Sequence, residues 1–314
     1  MNRTAERFDA RLELEGLSIE RAVGLAWLEL WRSRAAVELA QAAVEESTIE
    51  VEREEVALSA GEARQLDVLG ATVARERLRD ALAAREQAVA QSRSRLARWI
   101  GDAAQRSTPP GAPRLDVPVD AQALMARVVA HPLLQVKSAE IMEAEAGALA
   151  ARAAYSPDWR IEVGYGSRPE YADMVMVEVA MDLPLFTRHR QDQRLASALA
   201  TQDAASAARE DELRQLVARA QLAQHDSEHF EARIAHYRSA VVTAAQAAVD
   251  AALAAWANRN GTLAEVIGAR LRLLDVRMAL LDLEYELLVT RVELRFVNGV
   301  PLAASAADSA GGST

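Results

Sequence analysis

The sequence lacks cysteine, has few aromatic residues and contains no long uninterrupted apolar run. None of its 314 residues is Cys and only 4% are Phe, Trp or Tyr, which excludes disulfides and thiolate metal sites. A transmembrane helix needs about 20 consecutive apolar residues, so we expect any membrane crossing to be made by strands. The formal net charge of -10 argues against nucleic acid as a partner.

Catalytic and targeting motifs are also missing. The sequence contains neither a phosphate-binding glycine loop nor a Ser/His/Asp arrangement, so we predict no enzymatic activity and no cofactor. Residues 1–10 lack the apolar core of a secretory signal.

Helical patterns dominate what is present. Alanine is frequent among the 51% of residues that are hydrophobic, and alanine favours long, closely packed helices. From Ala26 to Val51, apolar or small residues recur at alternating steps of four and three, the seam of a coiled coil. Gly61 interrupts this region and Gly101 ends it. Residues 1–101 are therefore predicted to form a long antiparallel helical hairpin that turns near residues 59–63.

Prolines and glycines divide the rest of the chain. We predict a linker and short helix over 102–130, a helix over 131–157, a β-hairpin over 158–186, a second long helical hairpin over 187–299 and a disordered tail over 300–314. In the second helical hairpin, a heptad seam from Leu213 to Ala255 predicts one uninterrupted helix before the turn at Gly261. The predicted fold class is mainly α with one β-hairpin.

The β-hairpin is predicted from a period of two. Trp159, Ile161, Val163 and Tyr165 alternate with polar or small residues, and so do Val175, Val177, Val179 and Met181. Each strand has about ten residues, the length that a tilted strand needs to cross a bilayer. An open sheet edge in lipid leaves backbone groups unpaired, so a membrane hairpin requires other copies to complete a barrel. The alternative is a soluble hairpin that caps a helical bundle.

The two helical hairpins are similar in sequence. Residues 66–71 (LDVLGA) correspond to residues 264–269 (AEVIGA), and the same offset pairs Leu96 with Leu294 and Gly101 with Gly299. This predicts two tandem structural repeats, of which the first lacks its strands.

At this point the chain resembles the TolC family of outer-membrane efflux channels. The resemblance is carried by His131-Pro132-Leu133, Pro157, Leu183-Pro184-Leu185-Phe186 and the two glycine turns. It implies a homotrimer that builds one β-barrel in the outer-membrane lipid of a Gram-negative cell and one α-helical barrel through the periplasm. It also implies a periplasmic adaptor (membrane fusion) protein and an inner-membrane efflux pump as partners.

The same resemblance implies a passive duct for metal ions, drugs or other small molecules, with the heavy-metal branch as one possibility. Family members begin with a signal sequence, a helix and a strand pair, and this chain starts at the first long helix, so we expect an N-terminal truncation. The alternative function is a soluble coiled-coil scaffold or interaction protein, in which the apolar hairpin face would pack on the chain's own helices.

Four groups of residues are candidate sites. Asp67 and Glu265 are predicted to line the channel tip as a gate, or else to cap their helices, because a carboxylate at a helix N-terminus offsets the dipole. Gly61, Gly261 and Leu263 are predicted to contact the adaptor at the tips. Glu162, Glu178 and Asp182 are predicted to face the barrel lumen. His225, His229 and His236 share a helix face and could bind Zn²⁺ or Cu²⁺, although surface histidines are more often free.

Overall fold

The computed structural model describes residues 2–106, 113, 115, 121–168, 171–182, 188 and 190–301. Most of the predicted tail, most of the proline linker and the Leu183-Pro184-Leu185-Phe186 segment lie outside these residues. The elements are α1 (Asn2–Ser59), α2 (Gln65–Ile100), α3 (Ala121–Val129), α4 (Pro132–Ala153), β1 (Asp158–Arg168), β2 (Tyr171–Asp182), α5 (Gln191–His236), α6 (Val242–Ala257) and α7 (Leu263–Val297). The described chain is thus mainly helical with one two-stranded sheet, as predicted.

The contacts of the chain divide it into two compact units. The first comprises Met1–Leu14 and Val129–Val217, and the second comprises Glu15–Val128 and Ala218–Thr314. The β-hairpin belongs to the first unit and both helical turns belong to the second.

In the first unit, α4 begins with a proline in its first turn and is capped by His131, whose Nδ1 accepts a hydrogen bond from the Leu133 N–H at 3.2 Å. This satisfies one of the N–H groups that a helix start leaves unpaired. Two side-chain hydrogen bonds join the α4 region to α5: Arg209 Nε donates to Ser138 Oγ (2.9 Å), and Tyr155 Oη donates to Asp192 Oδ1 (2.6 Å).

In the second unit, α1 packs against both α2 and α7. Leu28 and Trp31 of α1 contact Leu281, Leu288 and Val292 of α7. On the other side of α1, a separate cluster is formed by Leu30, Leu96 and Ala104. Apolar residues spaced by three and four along α1 therefore serve two neighbouring helices, as expected for a helix with more than one buried stripe.

The predicted single helix before the second turn is interrupted, because a π-turn at Tyr237–Val241 separates α5 from α6. A π-turn accommodates one extra residue, so the positions that follow rotate by about 100° relative to an unbroken α-helix. Upstream, the buried residues Leu216, Ala220, Ala223, Ser227 and Ile234 follow the predicted seam.

Downstream of the π-turn, the seam lies one residue later than predicted. The buried residue is Val249 instead of Ala248, and Ala252 and Leu253 pack nearby. The extra residue shifts the phase of the heptad pattern by one position without ending the helix.

Alanine also accounts for a feature that the search for apolar runs did not predict. By length and composition alone, the helical stretch Gln191–Ala257 could cross a membrane, with a mean hydropathy of 1.4 in its most apolar window. One side of that window nevertheless carries polar contacts, since Arg277 Nη2 donates to Gln246 Oε1 (3.1 Å) and Gln246 Nε2 donates to Asp250 Oδ1 (3.1 Å). Length and composition are weak grounds for a membrane span when a helix is rich in alanine.

The two helical turns lie where glycine predicted them but have different backbone geometry. Gly61 has a φ of 77°, a left-handed conformation that favours glycine. In the second turn Arg259 takes that conformation, with a φ of 58°. Gly261 is favoured for a different reason: a Cβ there would lie 3.0 Å from the Ala255 Cβ and 3.2 Å from the Trp256 N, so a larger residue would push its neighbours aside.

Candidate functional site: the strand hairpin and the helical tips

One face of the β-hairpin is an exposed apolar band. The antiparallel register places Trp159 opposite Met181, Ile161 opposite Val179, Val163 opposite Val177, and Tyr165 opposite Val175. Apart from Met181, which is 41% exposed, these side chains are between 59% and 69% exposed. They do not pack on the chain's own helices, so the soluble-scaffold alternative is not supported. An apolar patch of this kind marks a surface that meets lipid or another protein.

The other face of the hairpin carries charge. Glu162 lies directly opposite Glu178, and both side chains are exposed. Like charges that face each other across a strand pair are destabilising unless water or cations screen them, so this face suits an aqueous surface. Asp182 pairs with Asp158 through the backbone, and its side chain lies outside the described part. The alternation predicted from the sequence is confirmed, although the strands are longer and their connection shorter than expected.

At the first helical turn, Asp67 is held by a bidentate ion pair. Arg64 Nε donates to Asp67 Oδ2 at 2.9 Å, and Arg64 Nη2 donates to Asp67 Oδ1 at 3.1 Å. Arg64 is also the residue that precedes α2, and its side chain makes no cap of its own. The hydrogen bonds to Asp67, and next its negative charge, raise the pKa of Arg64. Asp67 thus lies in the first turn of α2, where a carboxylate offsets the helix dipole.

Glu265 is held differently at the second turn. The Glu265 N–H donates to Thr262 Oγ1 (3.3 Å), and the Thr262 N–H donates to Glu265 Oε2 (2.8 Å). This reciprocal arrangement is a capping box. An ion pair joins the two turns, because Arg259 Nη2 lies 2.9 Å from Glu62 Oε1. Both carboxylates that were predicted to gate the channel therefore also stabilise their helix starts.

Leu263 does not lie on the surface, contrary to its prediction as an adaptor contact. It is 3% exposed and packs with Val51, Ala71 and Val266 in a core just behind the turns. The exposed apolar residues are on the first tip instead, where Leu66 is 72% exposed and Leu69 and Val73 follow it on α2. Their spacing of three and then four residues was visible in the sequence beside the buried stripe of Val68 and Ala71.

Two buried carboxylates near the tips were not predicted. Glu50 of α1 is 2% exposed, and its Oε1 lies 2.5 Å from Arg270 Nε of α7; Arg270 also forms an ion pair with Glu46. Burial raises the pKa of Glu50, and the positive charge of Arg270 opposes that effect. Glu54, one turn further on, is 5% exposed. Burial, followed by the negative charge of Asp67, raises the pKa of Glu54.

The burial of Glu50 and Glu54 was not predicted, because alternating charges usually indicate a solvated helix face. The signal that could have found them is their phase: Glu46, Glu50 and Glu54 recur every four residues beside the apolar seam. A buried carboxylate needs a partner or a proton, and Arg270 supplies a partner to only part of this row.

His225, His229 and His236 do not form a metal site in the structure. All three are exposed, and within the described ranges no group of three or more His, Cys, Asp or Glu residues is arranged to hold a metal ion.

Comparison with known proteins gives a family and a fold. The family model described as outer membrane efflux protein matches residues 128–300, which is more than half of the chain. Comparison with curated proteins gives no match.

Several solved outer-membrane channels have the same fold. VceC from Vibrio cholerae has a TM-score of 0.84 at 22% identity, covering 95% of this chain and 74% of VceC. CmeC from Campylobacter jejuni has a TM-score of 0.82 at 12% identity, covering 99% of this chain and 70% of CmeC. The open state of MtrE from Neisseria gonorrhoeae has a TM-score of 0.76 at 18% identity, covering 96% of this chain and 71% of MtrE.

The family match, the shared fold and the two-faced hairpin agree with one another and with the resemblance to TolC channels. They identify a passive outer-membrane efflux channel and not an enzyme. The chain belongs to the outer membrane efflux protein family.

Proposed function

We propose that three copies of this chain assemble into one export duct, to which each copy contributes its β-hairpin and its long helices. The observation that carries the proposal is the hairpin, which has an exposed apolar band on one face and the Glu162–Glu178 pair on the other. Strands that cross a membrane within a barrel face lipid on one side and water on the other, so apolar and polar side chains alternate along them.

A two-stranded sheet has two open edges, and this is the physical reason for assembly. Backbone N–H and C=O groups at those edges cannot remain unpaired in hydrocarbon. Hairpins from neighbouring copies can pair with them, because antiparallel edges are complementary to one another. The apolar band then forms a continuous lipid-facing surface, while Glu162, Glu178 and Asp182 line the lumen.

The helical hairpins are proposed to form coiled coils in the wall of a periplasmic tunnel, built from two tandem repeats. Burial at equivalent positions supports the repeat: Val68 and Val266, Ala71 and Ala269, and Leu96 and Leu294 are all buried. Both repeats also end in a left-handed glycine, with a φ of 58° at Gly101 and 63° at Gly299. These shared details support the proposed tandem repeat.

The helical turns are proposed to be the end of the duct that meets a periplasmic adaptor, which couples it to an inner-membrane pump. Gly61 and Gly261 shape the two turns, and the exposed stripe of Leu66, Leu69 and Val73 offers the adaptor an apolar contact. Asp67 and Glu265 are proposed to gate this end when three copies bring like charges together.

A pair of neighbouring substitutions tests the duct. Val177→Lys places a charge at the middle of the apolar band, where Lys costs about 2 to 4 kcal/mol in a membrane barrel. Glu178→Lys places the same side chain on the opposite face, next to Glu162, where opposite charges across strands stabilise. We expect wild type and Glu178→Lys to form trimers in detergent and to conduct ions in planar bilayers, whereas Val177→Lys should not insert. Equal insertion of both variants, or a stable monomer for the wild type, would refute the assignment.

A further inference from the structure

The contact between α1 and α7 contains a polar layer behind the two turns. Arg270 of α7 lies between Val266, which is fully buried, and Leu273, which is 6% exposed. It forms ion pairs with Glu46 and Glu50 of α1. Charges that leave water lose their hydration, and an ion pair alone rarely makes up for that loss. Further hydrogen bonds are therefore needed to keep this layer stable.

A small cavity lies beside the polar layer, between α1, α2 and α7. Its volume is about 30 Å³, and leucines of all three helices form its apolar wall. Ser47, Glu50 and Arg270 also line it. Ser47 and Glu50 are only 4% and 2% exposed, so both side chains have lost most of their contact with bulk water.

Three polar atoms of these lining residues have no hydrogen-bond partner among the described residues. They are Ser47 Oγ, Glu50 Oε1 and Arg270 Nε. Glu50 Oε1 and Arg270 Nε are 2.5 Å apart and attract each other electrostatically, but the pair does not have the geometry of a hydrogen bond. Buried polar atoms of folded proteins are nearly always hydrogen-bonded, either to the protein or to an ordered water molecule.

A water molecule matches both the space and the chemistry of this cavity. An ordered buried water needs about 10 to 15 Å³ of such space and two to four polar partners, and the cavity offers about 30 Å³ and three partners. Water can accept a hydrogen bond from the Arg270 Nε–H and donate its two hydrogens to Glu50 Oε1 and Ser47 Oγ. A metal cation is disfavoured there, because Arg270 already places a positive charge against Glu50.

We propose that this cavity binds an ordered water molecule, which joins Ser47, Glu50 and Arg270 and completes the polar layer between the two helical hairpins. The water satisfies all three unpaired atoms at once. A buried polar position in a helix pair fixes the register of the two helices. A slip of α1 along α7 by one turn would separate Ser47 and Glu50 from Arg270, so the bound water favours one register of the first helical hairpin against the second.

Thermal unfolding of Ser47→Ala in the full chain tests the site, with Ser92→Ala as the matched control. Ser92 is also buried, at 1% exposed, but its Oγ donates to the Val89 carbonyl oxygen at 3.1 Å. Both substitutions gain the same helix propensity, so the difference between them reports on the surroundings of each hydroxyl group. Ser47→Ala leaves the buried water with one partner fewer, and we expect it to unfold several degrees below Ser92→Ala.

A cavity without water gives the opposite order of unfolding temperatures. Ser47→Ala would then remove a buried hydroxyl group that has no partner, which is stabilising, and it would unfold above Ser92→Ala. That order, or equal unfolding temperatures, would overturn the proposal. A density map that resolves ordered waters provides the direct check: the wild-type protein should show a water peak within about 3.2 Å of Ser47 Oγ, Glu50 Oε1 and Arg270 Nε. A map with no peak at this position would also overturn it.

Discussion

At the scale of single residues, the feature with the largest consequence is Glu54, a buried carboxyl group without a described basic partner. Burial and the nearby Asp67 raise its pKa, so the folded tip holds this proton more tightly than the unfolded chain does. A raised carboxyl pKa means that the group does not penalise folding while it is protonated, and that stability is lost as pH rises through the folded pKa. The tip of the first helical hairpin is therefore expected to be more stable at acidic pH.

The substitution Glu54→Gln tests this expectation because it makes the neutral form permanent. Thermal unfolding should shift to higher temperature at pH 8, where an ordinary carboxyl group is charged, and the gain should shrink as pH falls toward the ordinary range of a carboxyl group. Glu55→Gln removes the same charge from an exposed neighbour and should give no comparable pH-dependent gain. If the unfolding temperatures of the two variants depend on pH in the same way, the burial of Glu54 is not the cause of the gain in stability.

At the scale of elements, the π-turn at Tyr237–Val241 accommodates one extra residue in the helix. The effects of deleting or inserting a residue at this position can therefore be predicted. Deleting Ala240, which is exposed, should convert the π-turn to an α-turn and keep Val249 in the core. Inserting an alanine after Ala240 should rotate α6 by a further 100° or so and expose Val249 and Leu253. Exposing each such side chain costs about 1.5 to 3 kcal/mol.

Thermal unfolding of the two variants, side by side with the wild type, measures the difference. We expect the deletion variant to unfold at nearly the same temperature as the wild type and the insertion variant to unfold at a clearly lower temperature. A deletion that is as damaging as the insertion would mean that the π-turn itself is required, for example to place residues against another copy.

The elements show which signals a single sequence carries. Gly61, Gly101 and the His131-Pro132 pair predicted helix boundaries because left-handed backbone and helix caps depend on local chemistry. The two faces of the strand hairpin were predicted from alternation, because successive side chains of a strand point to opposite sides. The π-turn was not predicted, since it leaves both flanking apolar patterns intact and alters only the phase between them.

The candidate site was predicted less completely than the fold. The sequence placed Asp67 and Glu265 at helix starts, but it could not distinguish Leu263, which is buried, from Leu66, which is exposed. Both are leucines beside a turn, and the partner helix that covers one of them is far away in the sequence. Glu50 was missed because its partner, Arg270, lies more than 200 residues further along the chain.

At the scale of the whole molecule, three copies of Asp67 and Glu265 are expected to make the narrow end of the duct selective for cations. Replacing them by Asn and Gln should leave folding nearly intact, because helix-start carboxylates at or near the surface contribute about 0.3 to 1 kcal/mol each. Cation selectivity and block by divalent cations should fall, most clearly at low ionic strength where screening is weakest.

Single-channel currents in planar bilayers, recorded with and without divalent cations, provide the measurement. The control is Glu228→Gln, which removes the charge of an exposed residue on α5, away from the turns. This substitution should leave cation selectivity and divalent-cation block unchanged. If the Asp67→Asn and Glu265→Gln double variant retains the selectivity and block of the wild type, the two carboxylates are helix caps only.

The starts of α2 and α7 are stabilised by different interactions, and this difference predicts which of them unwinds first. The clamp on Asp67 is an ion pair between the exposed side chain of Arg64 and the half-buried carboxylate of Asp67, and ion pairs near the surface weaken as salt concentration rises. The clamp on Glu265 runs through the backbone N–H groups of Thr262 and Glu265 itself, so mobile ions compete with it less. When the tip of the duct opens, the start of α2 should therefore unwind before the start of α7. Opening would then proceed as a sequence of two steps in which the first repeat leads and the second follows.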